Sequence, residues 1–528
     1  MTNSIEELEK TDVILVTGSN TTEMHPVIGS IIKRAVRNGK TRLIVVDSRK
    51  IDLVDHAEIW LRHRPGSDVA WLNGMMNVII REGLYAKEYV AERTEGFEAL
   101  REVVAKYTPE KVEEISGIPK EDLIAAARLY AAAPAAAIAY AMGITQHING
   151  TDAVKSVANL AMLCGNVGIE SGGVNPLRGQ NNVQGACDMG GLPNVFSGYQ
   201  PVASQEAREK MAKAWRVANL PTTPGLTIVE VIDGAAKGKV KGLYVMGENP
   251  MVSDPDLHHV EEGLKALDFL VVQDIFLTET AKLADVVLPA ACFAEKDGTF
   301  TNTERRVQMV RKAVEPPGDV PPDWRILCDI ATRMGYEMRY ASAEAIFDEI
   351  AAVTPSYAGM DYRRLDKGGI QWPCPTKDHP GTKYLHKDKF SRGKGLFHAI
   401  DWIPPAELPD DDYPFLLTTG RVLYQYHTGT MSRRSVGLNE RYPKCLIEVN
   451  REDATKIGVK DGDTVRVISR RGEIEATAAV GDVTDAGTIF IPFHFNEAAA
   501  NKLTIAALDP VAKIPEYKVC AVKLEKVA

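Results

Sequence analysis

The sequence predicts an α/β protein, with two similar doubly wound α/β units followed by a small β-barrel. Three observations predict it. Short apolar, β-branched runs alternate with helical patterns through the first part of the chain, as in a parallel sheet. Each run ends in glycine or polar residues, as strand ends at α/β ligand sites do. In the last part, from residue 396, short strands follow one another between Gly/Asp turns. The boundaries this suggests are 1–180, 181–291, 292–395 and 396–528.

Asp12–Thr17 (DVILVT) is the first expected strand. It runs into Gly18-Ser19-Asn20-Thr21-Thr22-Glu23-Met24-His25-Pro26 and a helical pattern from Val27 to Arg37. Thr22 is the expected cap of that helix, and Pro26 suits its first turn. Arg42–Asp47 (RLIVVD) is the second strand, leading to Ser48-Arg49. A strand, a glycine turn, a helix and a second strand ending in Asp make a dinucleotide-type half-fold. The Asp is placed to bond a ribose hydroxyl, and the helix start favours an anion. There is no GxGxxG, so a standard NAD site is a poor match. The plain alternative for Gly18, Asn20 and Asp47 is an ordinary turn; Glu23 and His25 could equally cap the helix or lie on its surface.

Asp68–Arg81, Glu95–Lys106, Pro109–Ser116 and Pro119–Ala132 read as helices. Ala136–Ala141 returns as a buried strand and ends in MGITQHING, Met142 to Gly150. There His147 reads as a loop residue rather than a metal ligand. Asp152–Leu163 is a helix. In the second unit the strands are Lys241–Met246, leading to Gly247-Glu248-Asn249-Pro250; Phe269–Val272, ending in Gln273-Asp274; and Asp285–Leu288. Asp297–Asn302 reads as a turn between short strands, Asp323–Met334 as a helix, and Pro373–Arg392 as a linker. Phe415–Thr419, Leu446–Val449, Thr464–Ser469, Ile474–Val480 and Thr488–Ile491 are the C-terminal strands, with one short helix at Asp453–Ile457. Gly420-Arg421 and His427–Thr430 are polar insertions that would serve as a ligand-contacting lid or as sheet-edge turns.

Hydrophobic residues make up 45% of the chain and charged residues 25%, the composition of a soluble globular protein. A net charge of -9 with no Lys/Arg run argues against general nucleic-acid binding. No apolar stretch approaches the roughly 20 residues of a membrane helix, and MTNSIEELEK at the N-terminus is unlike a secretory signal. The seven cysteines (Cys164, Cys187, Cys292, Cys328, Cys374, Cys445 and Cys520) are never two or three residues apart. That spacing excludes a zinc ribbon or a local iron–sulfur motif and suggests reduced thiols in a reducing compartment.

Between Gly172 and Gly191 the chain reads GGVNPLRGQNNVQGACDMGG. Six glycines argue that no ordinary helix or strand runs through it. Amides (Asn175, Gln180, Asn181, Asn182 and Gln184) surround one cation, Arg178. That composition suits backbone approaching a large polar ligand; the alternative is a long amide-rich Ω-loop.

RGQNNVQGACDMG at Arg178–Gly190 closely resembles the signature loop of molybdenum- or tungsten-dependent formate dehydrogenases, within the DMSO reductase family. GSNTTEMHP, DSRK, MGITQ, MGENP, QDIFLTETAKLADVVLP and GRVLYQYHTGTMSRRS resemble that family's motifs in its order. VNREDATKIGVKDGDTVRVISRRGEI resembles its double-psi barrel, and the resemblance covers essentially the whole chain.

The resemblance implies two pseudo-symmetric α/β domains around a bis-molybdopterin guanine dinucleotide carrying Mo or W, closed by the barrel. Gly18, Asn20, Glu23, His25, Asp47, Ser48 and Arg49 would hold one guanosine end, and Met142 and Gln146 the pterin. Gly179, Gln180 and Asn181 would line the cofactor beside Arg178. Gly247, Glu248, Asn249, Gln273, Asp274 and Asp297 would serve the second nucleotide. Arg421, His427, Thr430, Asn501, Tyr517 and Lys518 would come from the barrel. Arg178 would orient formate, since a guanidinium forks two bonds to a carboxylate and stays charged when buried; a structural Arg178 is the alternative. The reaction implied is formate to CO2, with electrons leaving through iron–sulfur partner subunits to a hydrogenase or an NAD-reducing partner. The location implied is cytoplasmic, with export still open.

The family carries a four-cysteine iron–sulfur domain, then a metal-binding selenocysteine or cysteine followed by a catalytic histidine. None of these appears among the 528 residues. The expectation is that Met1 is an internal methionine, downstream of a selenocysteine codon read as a stop, with the 4Fe-4S cluster on the missing segment; a natural split subunit is the runner-up. Alone, the chain is expected to bind cofactor weakly or not at all, and not to oxidise formate. The competing readings are a nitrate reductase or formylmethanofuran dehydrogenase of the same superfamily, and a non-catalytic cofactor-binding or assembly subunit.

Overall fold

The computed structural model describes residues 1–527. The chain divides into two compact units. One contains Met1–Gly179, Val252–His258 and the chain from Tyr384 onward; the other contains Gln180–Met251 and His259–Lys383.

In the first unit a five-stranded sheet runs in the order Ile59–Leu61, Arg42–Val46, Val13–Thr17, Ala136–Tyr140, Val174–Pro176, with every pairing parallel. The alternation of the central strands divides their side chains between two cores. Val13, Leu15, Ile44 and Val46 pack with Asp68–Arg81, Lys120–Ala131 and Gly150–Leu163; Ile14, Val16, Leu43 and Val45 pack with Pro26–Arg37. Such a sheet, buried on both faces, explains why these strands read as continuous apolar runs. The helix expected from Val27 starts at Pro26 and is entered through His25. Thr22 does not cap it. Thr22 lies inside a separate one-turn helix, Thr21–Met24, and its hydroxyl reaches Asp52 at 3.4 Å.

The same unit contains a closed barrel in the order Phe415–Gly420, Thr488–Pro492, Leu446–Asn450, Glu473–Gly481, Thr464–Ile468, Cys520–Lys526. Two of its pairings are parallel (Phe415–Gly420 with Thr488–Pro492, Leu446–Asn450 with Glu473–Gly481) and the rest antiparallel. The sixth strand, Cys520–Lys526, is absent from the expected set. The barrel is tied to the α/β part by Arg49, which forks onto Glu448 and stacks 3.6 Å over Phe490, and by Lys50 N–H donating to the Val483 carbonyl at 2.8 Å.

In the second unit a three-stranded parallel sheet has the order Val286–Pro289, Phe269–Asp274, Gly242–Met246. On one face Val245, Leu270 and Val272 are buried. On the other, Tyr244 (37%), Met246 (48%) and Phe269 (49%) remain exposed. Gly298–Thr301 is itself a strand, paired antiparallel with Arg306–Val310, so the expected turn at Asp297–Asn302 lies instead at Asn302–Arg305.

The glycine-rich stretch also departs from expectation. It holds the strand Val174–Pro176 and a helix, Val183–Asp188, with Gly185 inside it. That helix starts from Asn182 in the left-handed region, and a Cβ on Gly185 would lie 2.1 Å from Asn182 Oδ1. The glycine therefore marks a close approach, not a break. Its end is anchored by Asp188, whose buried carboxylate accepts from Gln184 (2.8 Å), Tyr199 (2.9 Å), Tyr357 (2.7 Å) and Trp372 Nε1 (2.7 Å).

All seven cysteines are free of disulfides. Among the described residues no helix is long and apolar enough to cross a membrane.

Candidate cofactor and substrate site

The site forms at the carboxyl end of the five-stranded sheet. Val13–Thr17 and Ala136–Tyr140 are neighbours, so the turns that follow them meet. Gly143 N–H donates to the Gly18 carbonyl at 3.0 Å. A Cβ on Gly143 would stand 2.4 Å from Gly18 Cα; one on Gly18, at φ +56°, would stand 2.7 Å from Ile144 N. Neither position has room for a side chain, so the turn presents bare backbone. Met142 is exposed and Gln146 half-buried beside it.

His25, at the start of the Pro26–Arg37 helix, donates from Nε2 to the Arg178 carbonyl at 2.7 Å. Burial lowers its pKa, the Arg178 carbonyl opposes that, and Arg421 adds to the lowering. The imidazole is therefore neutral near pH 7, and its Nδ1 is an acceptor. Among the described residues that Nδ1 has no partner, and neither has the buried Asn20 Oδ1. Buried acceptors are almost always satisfied, so these two point to N–H or O–H donors on a bound group.

Cations supply the other half of the site. Arg421 lies directly on Gly179, where a Cβ would be 2.8 Å from Nη1. Its guanidinium stands 5.7 Å over Phe493, and burial lowers its pKa. Lys518 donates to the Thr419 carbonyl at 2.5 Å, and its pKa is drawn down to about 7 by burial and Arg421, with Asp47 opposing. Among the described residues neither cation forms an ion pair. Buried charges without counter-ions are costly, and a bound anion relieves that cost. Asp47 accepts from Arg49 N–H at 2.9 Å, and burial raises its carboxyl above the usual range. Arg49 lies near it and half-buried Glu23 lies near Arg49, whose side chain is committed to Glu448; Ser48 offers its carbonyl to Arg62 Nε at 3.3 Å.

His427 and His494 stand together behind Arg421. His494 accepts from Val422 N–H at Nε2 (3.0 Å) and donates from Nδ1 to the His427 carbonyl. Burial, then the nearby charges, lowers His494 to about 3 and His427 to about 4, so both rings are neutral. Arg178 is half-buried beside Tyr140, whose phenol is pushed up to about 12 by burial and stays protonated.

Residues 1–333 match the family described as Molybdopterin oxidoreductase. The chain belongs to the molybdopterin oxidoreductase family. Residues 415–521 of this molybdopterin oxidoreductase match the Molydopterin dinucleotide binding domain, which is the barrel. It is 55% identical to the F420-dependent formate dehydrogenase subunit alpha of Methanocaldococcus jannaschii, over 100% of this chain and 78% of the relative. It is 43% identical to formate dehydrogenase H of Escherichia coli, over 100% of this chain and 74% of the relative. Acetylene hydratase from Pelobacter acetylenicus has the same fold, with a TM-score of 0.79 at 21% identity over 100% of this chain and 81% of that one.

The residues fit the pterin dinucleotide that a molybdopterin oxidoreductase carries. A backbone cradle at Gly18 and Gly143, two buried acceptors without donors, and two buried cations without carboxylates suit a flat, N–H-rich base joined to phosphates. The structure brings together Gly18, Asn20, Glu23, His25, Asp47, Arg49, Arg178, Gly179, Arg421, His427 and Lys518. Other predicted residues are engaged elsewhere. Asn501 Nδ2 donates to the Val252 and Ser253 carbonyls (3.0 and 2.9 Å), the Tyr517 hydroxyl to Ser253 (3.1 Å), and Thr430 pairs with Thr428 (2.9 Å).

In the second unit, Gly247, Glu248 and Asn249 follow Gly242–Met246, and Gln273-Asp274 end the neighbouring strand. Asn249 accepts from Thr280 N–H (3.2 Å) and hydroxyl (2.8 Å), and Gln273 is bonded by Tyr244 and to Asp323 (2.7 Å). Asp274 accepts from Phe276 N–H at 3.1 Å, and Asp297 is exposed and accepts from Lys312 N–H at 2.9 Å. Gln180 is half-buried and Asn181 exposed.

Sequence reasoning missed Glu448, His494 and Asp188. His494 lies in the apolar run IPFHF, where one aromatic-like residue breaks no pattern; Asp188, inside GACDMG, carried a signal that Arg178 overshadowed.

Proposed function

We propose that the chain is the catalytic subunit of a formate dehydrogenase, oxidising formate to CO2 at a molybdenum or tungsten centre held by a bis-molybdopterin guanine dinucleotide. The observation that carries the reading is Arg178, held through its carbonyl by neutral His25 and set beside protonated Tyr140 in a site already rich in uncompensated positive charge. Relatives named formate dehydrogenases, at 55% and 43% identity, support it.

When bound, the metal centre would supply the two-electron acceptor that cleavage of the formate C–H bond requires. Arg178 binds the two carboxylate oxygens through parallel N–H bonds and so fixes the direction of the C–H bond. The contact is strong for anionic formate and weak for neutral CO2, so the product leaves easily. Arg421 and Lys518 hold the phosphates of one nucleotide end, with Asp47 on its ribose. Asn20 Oδ1 and His25 Nδ1 would accept from N–H groups of the bound cofactor. Gly247, Glu248, Asn249, Gln273, Asp274 and Asp297 are assigned to the other nucleotide end. The metal ligand and the 4Fe-4S cluster are assigned to polypeptide outside these 528 residues. Such a cluster would supply an electron exit toward a partner subunit; the F420-dependent relatives favour an F420-reducing one, with NAD and a hydrogenase as the alternatives. Seven free thiols are in keeping with a reducing cytoplasm.

The test is the complete, cofactor-loaded enzyme with Arg178→Lys. A point charge cannot reproduce the fork, so kcat/KM for formate falls by about 10²–10³ while pterin content is unchanged. Turnover of nitrate in place of formate by the wild-type enzyme would overturn the reading.

A further inference from the structure

His147 is 2% exposed and lies between two carboxylates from distant parts of the chain. Its Nε2 is 2.9 Å from the Gly143 carbonyl and 3.6 Å from Asp68 Oδ2; its Nδ1 is 3.8 Å from Glu516 Oε1. Asp68 opens the Asp68–Arg81 helix, and among the described residues neither of its buried oxygens nor His147 Nδ1 has a hydrogen-bond partner, so the contacts to His147 are ion-pair separations. His63 Nε2 stands 3.9 Å from Asp68 on the other side. Glu516 is equally buried; it accepts from Ala406 N–H at 2.9 Å and from Ile148 N–H at 3.5 Å. A few residues on, Asp509 ties Thr151 to the same barrel segment through N–H (2.9 Å) and hydroxyl (2.7 Å).

The position of this cluster gives it meaning. His147 follows Gln146 on the loop whose Gly143 meets Gly18. Glu516 precedes Tyr517 and Lys518. Two buried carboxylates flanking one ring on its two nitrogens favour a cation there, because uncompensated buried charges are strongly unfavourable. We propose that His147 is a positioning residue: its imidazolium, clasped by Asp68 and Glu516, fixes the loop bearing Met142 and Gln146 against the barrel segment bearing Tyr517 and Lys518, so that retention of the cofactor depends on one buried proton. Burial alone favours release of that proton; Glu516, Asp68 and the Gly143 carbonyl outweigh it and raise the His147 pKa above the ordinary histidine value.

The sign follows. A raised folded-state pKa stabilises fully below the unfolded value of about 6.5, and the contribution is lost as pH rises from there through the folded value. The groups facing His147 are Asp68, Glu516 and, through Asp68, His63. The proposal rests on the cofactor reading, but its test separates the two.

In the complete, cofactor-loaded enzyme, pterin release is followed by fluorescence between pH 6 and pH 9, and the His147 ring is titrated by 15N NMR, assigned with His147→Gln. Release is expected to accelerate at least tenfold across the same pH midpoint as the ring titration. Glu516→Gln, which keeps the histidine, moves both midpoints together to lower pH; His147→Gln removes the component that follows the ring and releases pterin faster than the wild type throughout, and the separate dependence from Lys518 near pH 7 is identified by its loss in Lys518→Met. Release independent of the ring midpoint, or unmoved by Glu516→Gln, overturns the proposal. The midpoints move as expected even if formate is not the substrate, so failure of the functional reading shows separately in turnover.

Discussion

The two parallel sheets begin alike and end differently. In the first unit both central strands are wholly buried, and the glycine after Val13–Thr17 is pressed against the neighbouring turn. In the second, every other residue of Gly242–Met246 is exposed, and Gly247, in the same place after its strand, has nothing among the described residues within 4 Å of its would-be Cβ. The strand ends differ as well. The first carries orphaned acceptors and unpaired cations; in the second Asn249 and Gln273 already bond protein groups. The same βα grammar thus produces a cradle shaped for a ligand in one unit and a mostly self-satisfied edge in the other. A parallel sheet is normally covered on both faces, so the bare face of the second unit is the less typical of the two.

The difference can be broken at the two glycines. Gly18→Ala forces a side chain into backbone and into the left-handed region at once, and is expected to cost about 3 kcal/mol or more. Gly247→Ala meets only the φ +66° penalty, about 1 kcal/mol. Urea unfolding of both variants measures the gap, and equal costs would remove the distinction. A smaller contrast lies within the strands. Ile14→Ala opens a cavity in a closed core and should cost about 2–5 kcal/mol; Phe269→Ala, half exposed, should cost less than about 1.5 kcal/mol by the same measurement. The smallest effect concerns charge. Lys518, with its pKa lowered to about 7, is cationic below that pH and neutral above it. Inorganic pyrophosphate should bind about tenfold more weakly (~1.4 kcal/mol) as pH rises through about 7, read from its protection against thermal unfolding. Lys518→Met should abolish that dependence, and Asp274→Asn in the second unit should leave it intact.

Much of this was legible from the sequence. Strands such as Ala136–Tyr140 and helices such as Asp68–Arg81 and Pro109–Ser116 appear within a residue of where periodicity places them, because burial on both faces leaves a continuous apolar run and capping residues mark helix ends. The barrel strand Cys520–Lys526 is not legible: its alternation, VKLEK, is short and charged and pairs with segments about 60 and 105 residues away. The helix at Val183–Asp188 was hidden by its own glycine, since composition cannot tell a glycine that breaks a helix from one that lets a neighbour approach.

The sequence by itself determined the family, the two strand–turn–helix units and the signature loop around Arg178, since these rest on local patterns of residue type. Only the tertiary structure decided what the polar residues do. Arg49 turned out to be bound to Glu448, 399 positions away, and His147, which reads as a loop residue, lies buried between Asp68 and Glu516. Electrostatic roles of this kind depend on burial and on partners brought together from remote parts of the chain, and neither is written in any short stretch of residues.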